Sequence, residues 1–258
     1  MKIKRAMTSL CGLVVLVLLV SWGTAQADTF IKQVTHTDSF KVMSQVQPAK
    51  DDTSTMWLSK DKACMVGSDN KTSILRADKG VMYIVDHSNK TYMEIPLEDV
   101  GDIKKMAGLE DDEEAAQAAD MMQEMMAGMM KMDITVTPTD EKKKIEDWNV
   151  KKYIVEIKMP MGTSKSEVWA TEDIKVDYEM FHAVSNTFMA QMPGFQKAME
   201  EMKKVKGMTV LSVGEAQMMG TSVKTTTTLL ECSDKSAPAG IFDVPKDYKK
   251  EEMTGMGR

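Results

Sequence analysis

The 258-residue sequence predicts an α+β protein that is mainly β, an antiparallel sheet interrupted by two helical insertions. Three observations lead there. Apolar and polar residues alternate with period two over most of the chain. Turn-forming residues separate these runs at spacings of about ten positions, the mark of a hairpin meander. Two segments alone switch to three- and four-residue spacing.

Lys152–Met159 is the clearest strand: Tyr153, Val155, Ile157 and Met159 face one way, Lys152, Glu156 and Lys158 the other. Such alternation belongs to a strand with one buried and one wet face. Comparable runs cover Thr29–Thr35, Thr53–Leu58, Lys62–Val66, Thr72–Arg76, Val81–Val85, Thr91–Ile95, Ile134–Thr137, Glu167–Thr171, Met208–Val213 and Thr221–Glu231. Ser68-Asp69-Asn70, Asp78-Lys79-Gly80, Ser88-Asn89 and Met161-Gly162-Thr163 supply turns between them.

The first helical insertion is expected near 110–131. Glu110-Asp111-Asp112-Glu113-Glu114 suits the positive end of a helix dipole, and Lys131 the negative end. Within it, AADMMQEMMAGMMKM (118–132) places seven methionines in fifteen positions. At ~100° per residue, Ala115, Ala118, Ala119, Met122, Met125, Met126 and Met129 share one side. The second insertion, near 178–206, carries Phe181, Val184, Phe188, Met192, Phe195, Met199 and Met202 at helical spacing. Pro193-Gly194 breaks it, and Gly207 is the expected stop. The residues after Tyr248 are polar and small and read as a flexible tail, 249–258.

Lys2, Lys4 and Arg5, an apolar run from Leu10 to Val20 and Ala25-Gln26-Ala27 have the layout of a signal peptide cleaved before Asp28. The expectation is a periplasmic or secreted protein with no permanent membrane anchor, 28–248 forming a single sheet domain. Subtracting the three basic residues of the leader from the overall charge of −6 leaves −9. An acidic chain without a basic, aromatic-interleaved cluster speaks against nucleic acid as a partner. Cys64 and Cys232 either form a disulfide in an oxidising compartment or stay as buried thiols.

Chemistry-bearing motifs are scarce. His36, His87 and His182 have no ligand spacing, and no nucleophile elbow, phosphate loop or dinucleotide fingerprint occurs. Ser68-Asp69-Asn70-Lys71 matches two penicillin-binding motifs, but they overlap in one turn, a coincidence. The sequence is therefore read as non-enzymatic, with no cofactor and no metal.

Trp57-Leu58-Ser59-Lys60-Asp61, SILRADKGVMYIVDHSNKTYMEI (73–95) and GIFDVPKDYKK (240–250) resemble the periplasmic lipoprotein carriers (LolA/LolB-like). KIEDWNVKKYIVEI followed by SEVWATEDI resembles, more closely, an uncharacterised family of secreted bacterial proteins, DUF4412-like. The carrier resemblance implies a strongly curved antiparallel sheet, an unclosed half-barrel, with both helical insertions on its concave face and an acyl-binding cavity.

Four readings of the methionines stand side by side. They fill a core, cover an apolar ligand, capture Cu(I), or form a partner surface. The favoured expectation is a non-catalytic carrier of a lipid or acyl chain. Its cavity candidates are Met122, Met125, Met126, Met129, Phe181, Phe188 and Met192, with Trp57, Tyr83 and Trp169 at the mouth.

Overall fold

In the computed structural model the described residues are 28–42, 45–99, 117, 121, 133–160, 162–174, 195–218 and 220–251. Twelve strands form one sheet. Its centre is β1 (Thr29–Thr37), which pairs antiparallel on one side with β4 (Lys50–Ser59) and on the other with β13 (Thr221–Asp234).

Outward from β4 run β5 (Lys62–Val66), β6 (Lys71–Arg76), β7 (Val81–Asp86) and β8 (Thr91–Pro96), each paired with the next. Outward from β13 run β12 (Met208–Met218), β11 (Gly162–Thr171), β10 (Trp148–Met159) and β9 (Asp133–Ile145). The sheet is thus two five-stranded meanders joined through β1. A separate hairpin, β2 (Phe40–Val42) with β3 (Gln45–Gln47), and the two-residue β14 (Lys249–Lys250) complete the strands. β14 pairs parallel with β8, which makes the sheet mixed.

The turns follow their residues. Gly80 (φ 67°) closes the Ala77–Lys79 turn in the left-handed region, as do Asn70 (φ 59°) and Lys90 (φ 54°) in theirs. The Asp86 carboxylate accepts N–H bonds from Ser88 (2.8 Å) and Asn89 (3.0 Å), fixing the β7–β8 turn.

Three expectations change. The sheet is mostly antiparallel and unclosed, but it is not strongly curled, in contrast to the half-barrel that the carrier resemblance implied. Strong curvature needs repeated bulges or glycine kinks. The registers from β4 to β8 run without a shift, and among the described residues shifts occur only at Lys32/Gln33, Lys151/Tyr153 and Trp169/Ala170.

The second change concerns the helices. Of 110–131, only Gln117 and Met121 are among the described residues; both are helical, and Met121 is exposed. Of the second insertion, 178–194 lies outside them, and the described part is one short helix, α1 (Phe195–Met202). Gly207 is not its stop. It sits at φ 86° where an added Cβ would overlap the Thr171 carbonyl, so it is needed to bring the start of β12 against the end of β11. Third, Lys249 and Lys250 of the expected tail join the sheet, and the N–H of Glu251 bonds the Tyr92 carbonyl (2.8 Å).

α1 lies on the β9–β11 end, where Ala198 packs with Ile134, Val136, Tyr153, Val155, Val168 and Ala170. The Glu201 carboxylate accepts the Val136 N–H (2.9 Å), satisfying a donor on the edge strand.

Candidate functional site

Side chains on neighbouring strands that pair directly point to the same face, and successive residues point to opposite faces. Following the registers across the first meander therefore sorts its residues without ambiguity. One face carries the row Ile31, Met56, Met65, Ser73, Ile84, Met93. Two residues along lies the row Leu58, Ala63, Leu75, Met82, Ile95. Ser73 is the polar member of the first row, and buried Thr29 on β1 continues the second from Leu58.

These two rows differ in depth. In the second row Leu58, Leu75 and Ile95 are buried and Ala63 and Met82 half-buried; in the first Ile31 is buried, Met56, Ile84 and Met93 are half-buried, and Met65 is 45% exposed. The next row out is Lys71, Asp86 and Thr91, a polar rim. The face is thus an apolar strip, deep along one side and open along the other, with four methionines in it. Thioethers are unbranched and polarisable and can re-pack around a varying apolar shape.

The opposite face is aromatic and closed. Phe30, Trp57, Cys64, Ile74 and Val85 form its buried cluster, with Tyr83 and Tyr92 beside it. Phe30 and Trp57 lie 4.6 Å apart between ring centroids, tilted at 46°, and the Lys235 ammonium stands 3.7 Å over Phe30. Ala237, Ile241, Phe242, Val244 and Tyr248 pack against this cluster, so the stretch from Ala237 to Tyr248 acts as a strap.

Polar bonds fasten the strap. Arg76 is buried and donates to both Asp78 oxygens (2.7 Å each), to the Phe242 carbonyl (3.2 Å) and to Asp243 (2.7 Å). The Asp78 hydrogen bonds hold its guanidinium pKa above the ordinary value. His87 bridges Thr72 (2.8 Å) and the Tyr248 hydroxyl (2.9 Å), and Lys90 pairs with Asp247 (3.0 Å).

Of the cavity candidates from sequence, Met122, Met125, Met126, Met129, Phe181, Phe188 and Met192 lie outside the described residues. Trp57 and Tyr83 are on the strap-covered face, turned away from the methionines of their own meander. Trp169 belongs to a different cluster, with Ile31, Leu58, Val150, Val210 and Leu229, against which Met56 and Ala63 of the strip also pack, and the Lys143 ammonium stands 3.8 Å over its ring. The three aromatics are not brought together.

Met56, Met65, Met82 and Met93 were missed. Each holds an alternate position in a strand legible from sequence, but their alignment on one face depends on register.

Cys64 and Cys232 are free thiols. β5 and β13 are three inter-strand spacings apart, roughly 14 Å at ~4.8 Å each. The registers also put them on opposite faces, since Cys64 aligns with Phe30 and Cys232 with Ile31. A disulfide needs Cα atoms within about 7 Å. The pairing left open from sequence is therefore excluded by this geometry. Burial pushes the Cys64 thiol up to about 11, which makes it a poor nucleophile at neutral pH.

Fold and site together define an open, mostly antiparallel sheet domain with one strapped aromatic face and one methionine-lined face. The chain belongs to the DUF4412 family, a domain of unknown function whose model matches residues 42–248. No curated protein matches it. Among solved structures it is similar to one described as the structure of PNGF-II in space group C2, at 11% identity and a TM-score of 0.37. That match covers 88% of this chain but 31% of the other, and a likeness so distant carries no argument.

Proposed function

We propose that this protein is a non-catalytic binder or carrier of an apolar ligand, a lipid or acyl chain, acting in the periplasm or after secretion. One observation carries the reading: the half-open, methionine-lined strip on β4–β8. From Met56 to Met93 the row crosses four inter-strand spacings. At ~4.8 Å each that is roughly 19 Å. One acyl chain fills half of a ~30 Å bilayer core, about 15 Å. The strip is long enough for one chain and two residues wide, and the polar rim at Lys71 and Asp86 suits a headgroup left in water. Burying a methylene from water contributes about 0.8 kcal/mol, so a strip of this length supports useful affinity without a closed cavity.

The test is fluorescence titration of the full chain with a long-chain fluorescent fatty acid, alongside native mass spectrometry after incubation with phospholipid. Saturable binding is expected in the parent protein and in Met65→Leu. Met65→Glu, which puts a charge at the open side of the strip, should keep the fold by circular dichroism and lose binding. Absence of binding in the parent, or full binding in a folded Met65→Glu, overturns the reading.

A further inference from the structure

We infer that a second site, independent of the apolar strip, lies in the β9–β11 half: a cleft that takes a phosphate-type anion. The cleft has a volume of about 380 Å³ and is lined by Lys142, Lys143, Lys151 and Lys206 with Asn149, Tyr153, Glu172 and Asp173 among others. This is within the range of ~300–1,000 Å³ of small-molecule sites.

The charge arrangement points to an anion. Lys142 and Lys151 are direct cross-strand partners, and like charges in that position repel. Neighbouring lysines on the same hairpin are neutralised: Lys152 by Glu141 (3.2 Å) and Glu167 (3.0 Å), and Lys144 by Asp147 at 3.9 Å. Among the described residues no carboxylate pairs with Lys142, Lys143, Lys151 or Lys206. Lys142, Lys151 and Lys206 thus bring three ammonium groups to one cleft on a chain whose net charge is −6, while the Lys143 ammonium turns to the other face of the hairpin.

The two acids of the lining do not cancel them. Asp173 is engaged with Asn149, accepting its backbone N–H (2.8 Å) and its amide (3.2 Å). Its charge remains, so Lys142, Lys151 and Lys206 exceed Glu172 and Asp173 by one positive charge.

The lysines are also positioned. The Lys206 N–H donates to the Tyr153 hydroxyl (3.2 Å), fixing the backbone that presents Lys206, and the Lys151 ammonium stands 5.8 Å from the Tyr153 ring centroid. A phosphate-type group between Lys142 and Lys151 would turn a repulsive pair into two charge-assisted hydrogen bonds. Lysine serves such groups as a point charge and does not require the planar geometry that arginine imposes.

Both a free phosphate compound and a phospholipid headgroup offer this chemistry, and two arms separate them. The full chain is titrated calorimetrically with inorganic pyrophosphate at low salt, and co-sedimented with phosphatidylglycerol vesicles against phosphatidylcholine vesicles. Saturable pyrophosphate binding that falls about tenfold or more in Lys142→Gln/Lys151→Gln supports the site with a free anion as ligand. Binding to phosphatidylglycerol vesicles alone, lost in the same variant, supports it with a headgroup as ligand.

Lys165→Gln, whose lysine is paired with Glu156 (3.0 Å), is the control and should leave either binding unchanged. The double variant should melt no lower than the parent, since it removes a repulsion. No binding in either arm, equal loss in the control, or a lower melting temperature of the double variant overturns the proposal.

Discussion

At the scale of single residues, His36 near the end of β1 is held between two carboxylates, with Nδ1 2.6 Å from Asp51 and Nε2 3.3 Å from Asp38. The hydrogen bond to Asp51 raises its pKa above the ordinary histidine value. A raised pKa in the folded state means that the imidazolium stabilises the fold fully below about pH 6.5, the unfolded value, and that this contribution fades as pH rises through the folded pKa. NMR titration should show His36 titrating above pH 6.5 in the parent and lower in Asp51→Asn. The gap in melting temperature between the two should narrow between pH 6 and pH 8; a constant gap would refute the linkage. From sequence His36 showed only the absence of ligand spacing, because its main partner is set by the β1–β4 register, which pairs it with Asp51. The four sheet methionines were illegible for the same reason. The run at 118–132 drew attention through local density, whereas Met56, Met65, Met82 and Met93 are scattered over four strands.

At the scale of elements, the strap shows how one buried cation can hold a segment of irregular backbone. Replacing Arg76 by Met keeps the apolar stem but leaves Asp78, the Phe242 carbonyl and Asp243 without their shared donor. The expected loss is roughly 1–3 kcal/mol, because hydrogen-bonded groups lose a partner at a largely buried position. Hydrogen exchange should then accelerate in 237–248 and at the β8–β14 pairing, with β9–β13 unaffected; uniform acceleration would mean that the strap has no separate stability. Most strands were legible because one face is apolar, and Lys62–Val66 agrees to the residue. β9 was cut short at Thr137, because Lys142, Lys143 and Lys144 are polar on both faces while their pairing with β10 continues beyond a register shift. The three-residue strands β2 and β3 and the two-residue β14 are too short to show a period.

At the scale of the whole molecule, alternation announced a mainly β meander, but the curl of the sheet lies in bulges and kinks that alternation does not encode. What unites the two meanders is β1, and through it the molecule should unfold as one. Ile31 is buried on β1 between Met56 and Cys232, and Ile31→Ala should cost about 2–5 kcal/mol. Trp57 lies on β4 in one meander and Trp169 on β11 in the other, where its cluster reaches across β1 to Leu58. Denaturation of single-tryptophan variants should give coincident midpoints, both lowered together by Ile31→Ala; a shift confined to one reporter would show that the meanders are separate cooperative units. The placement of β1 has a temporal consequence as well. Thr35 bonds Thr227 across 192 positions, so the strand that a ribosome releases early gains its second neighbour only when nearly all of the chain has emerged. Such long closures are slow to form and leave hydrogen-bonding edges bare in the interval. A nascent chain of this protein therefore keeps β1 short of its second neighbour until its last long strand is out.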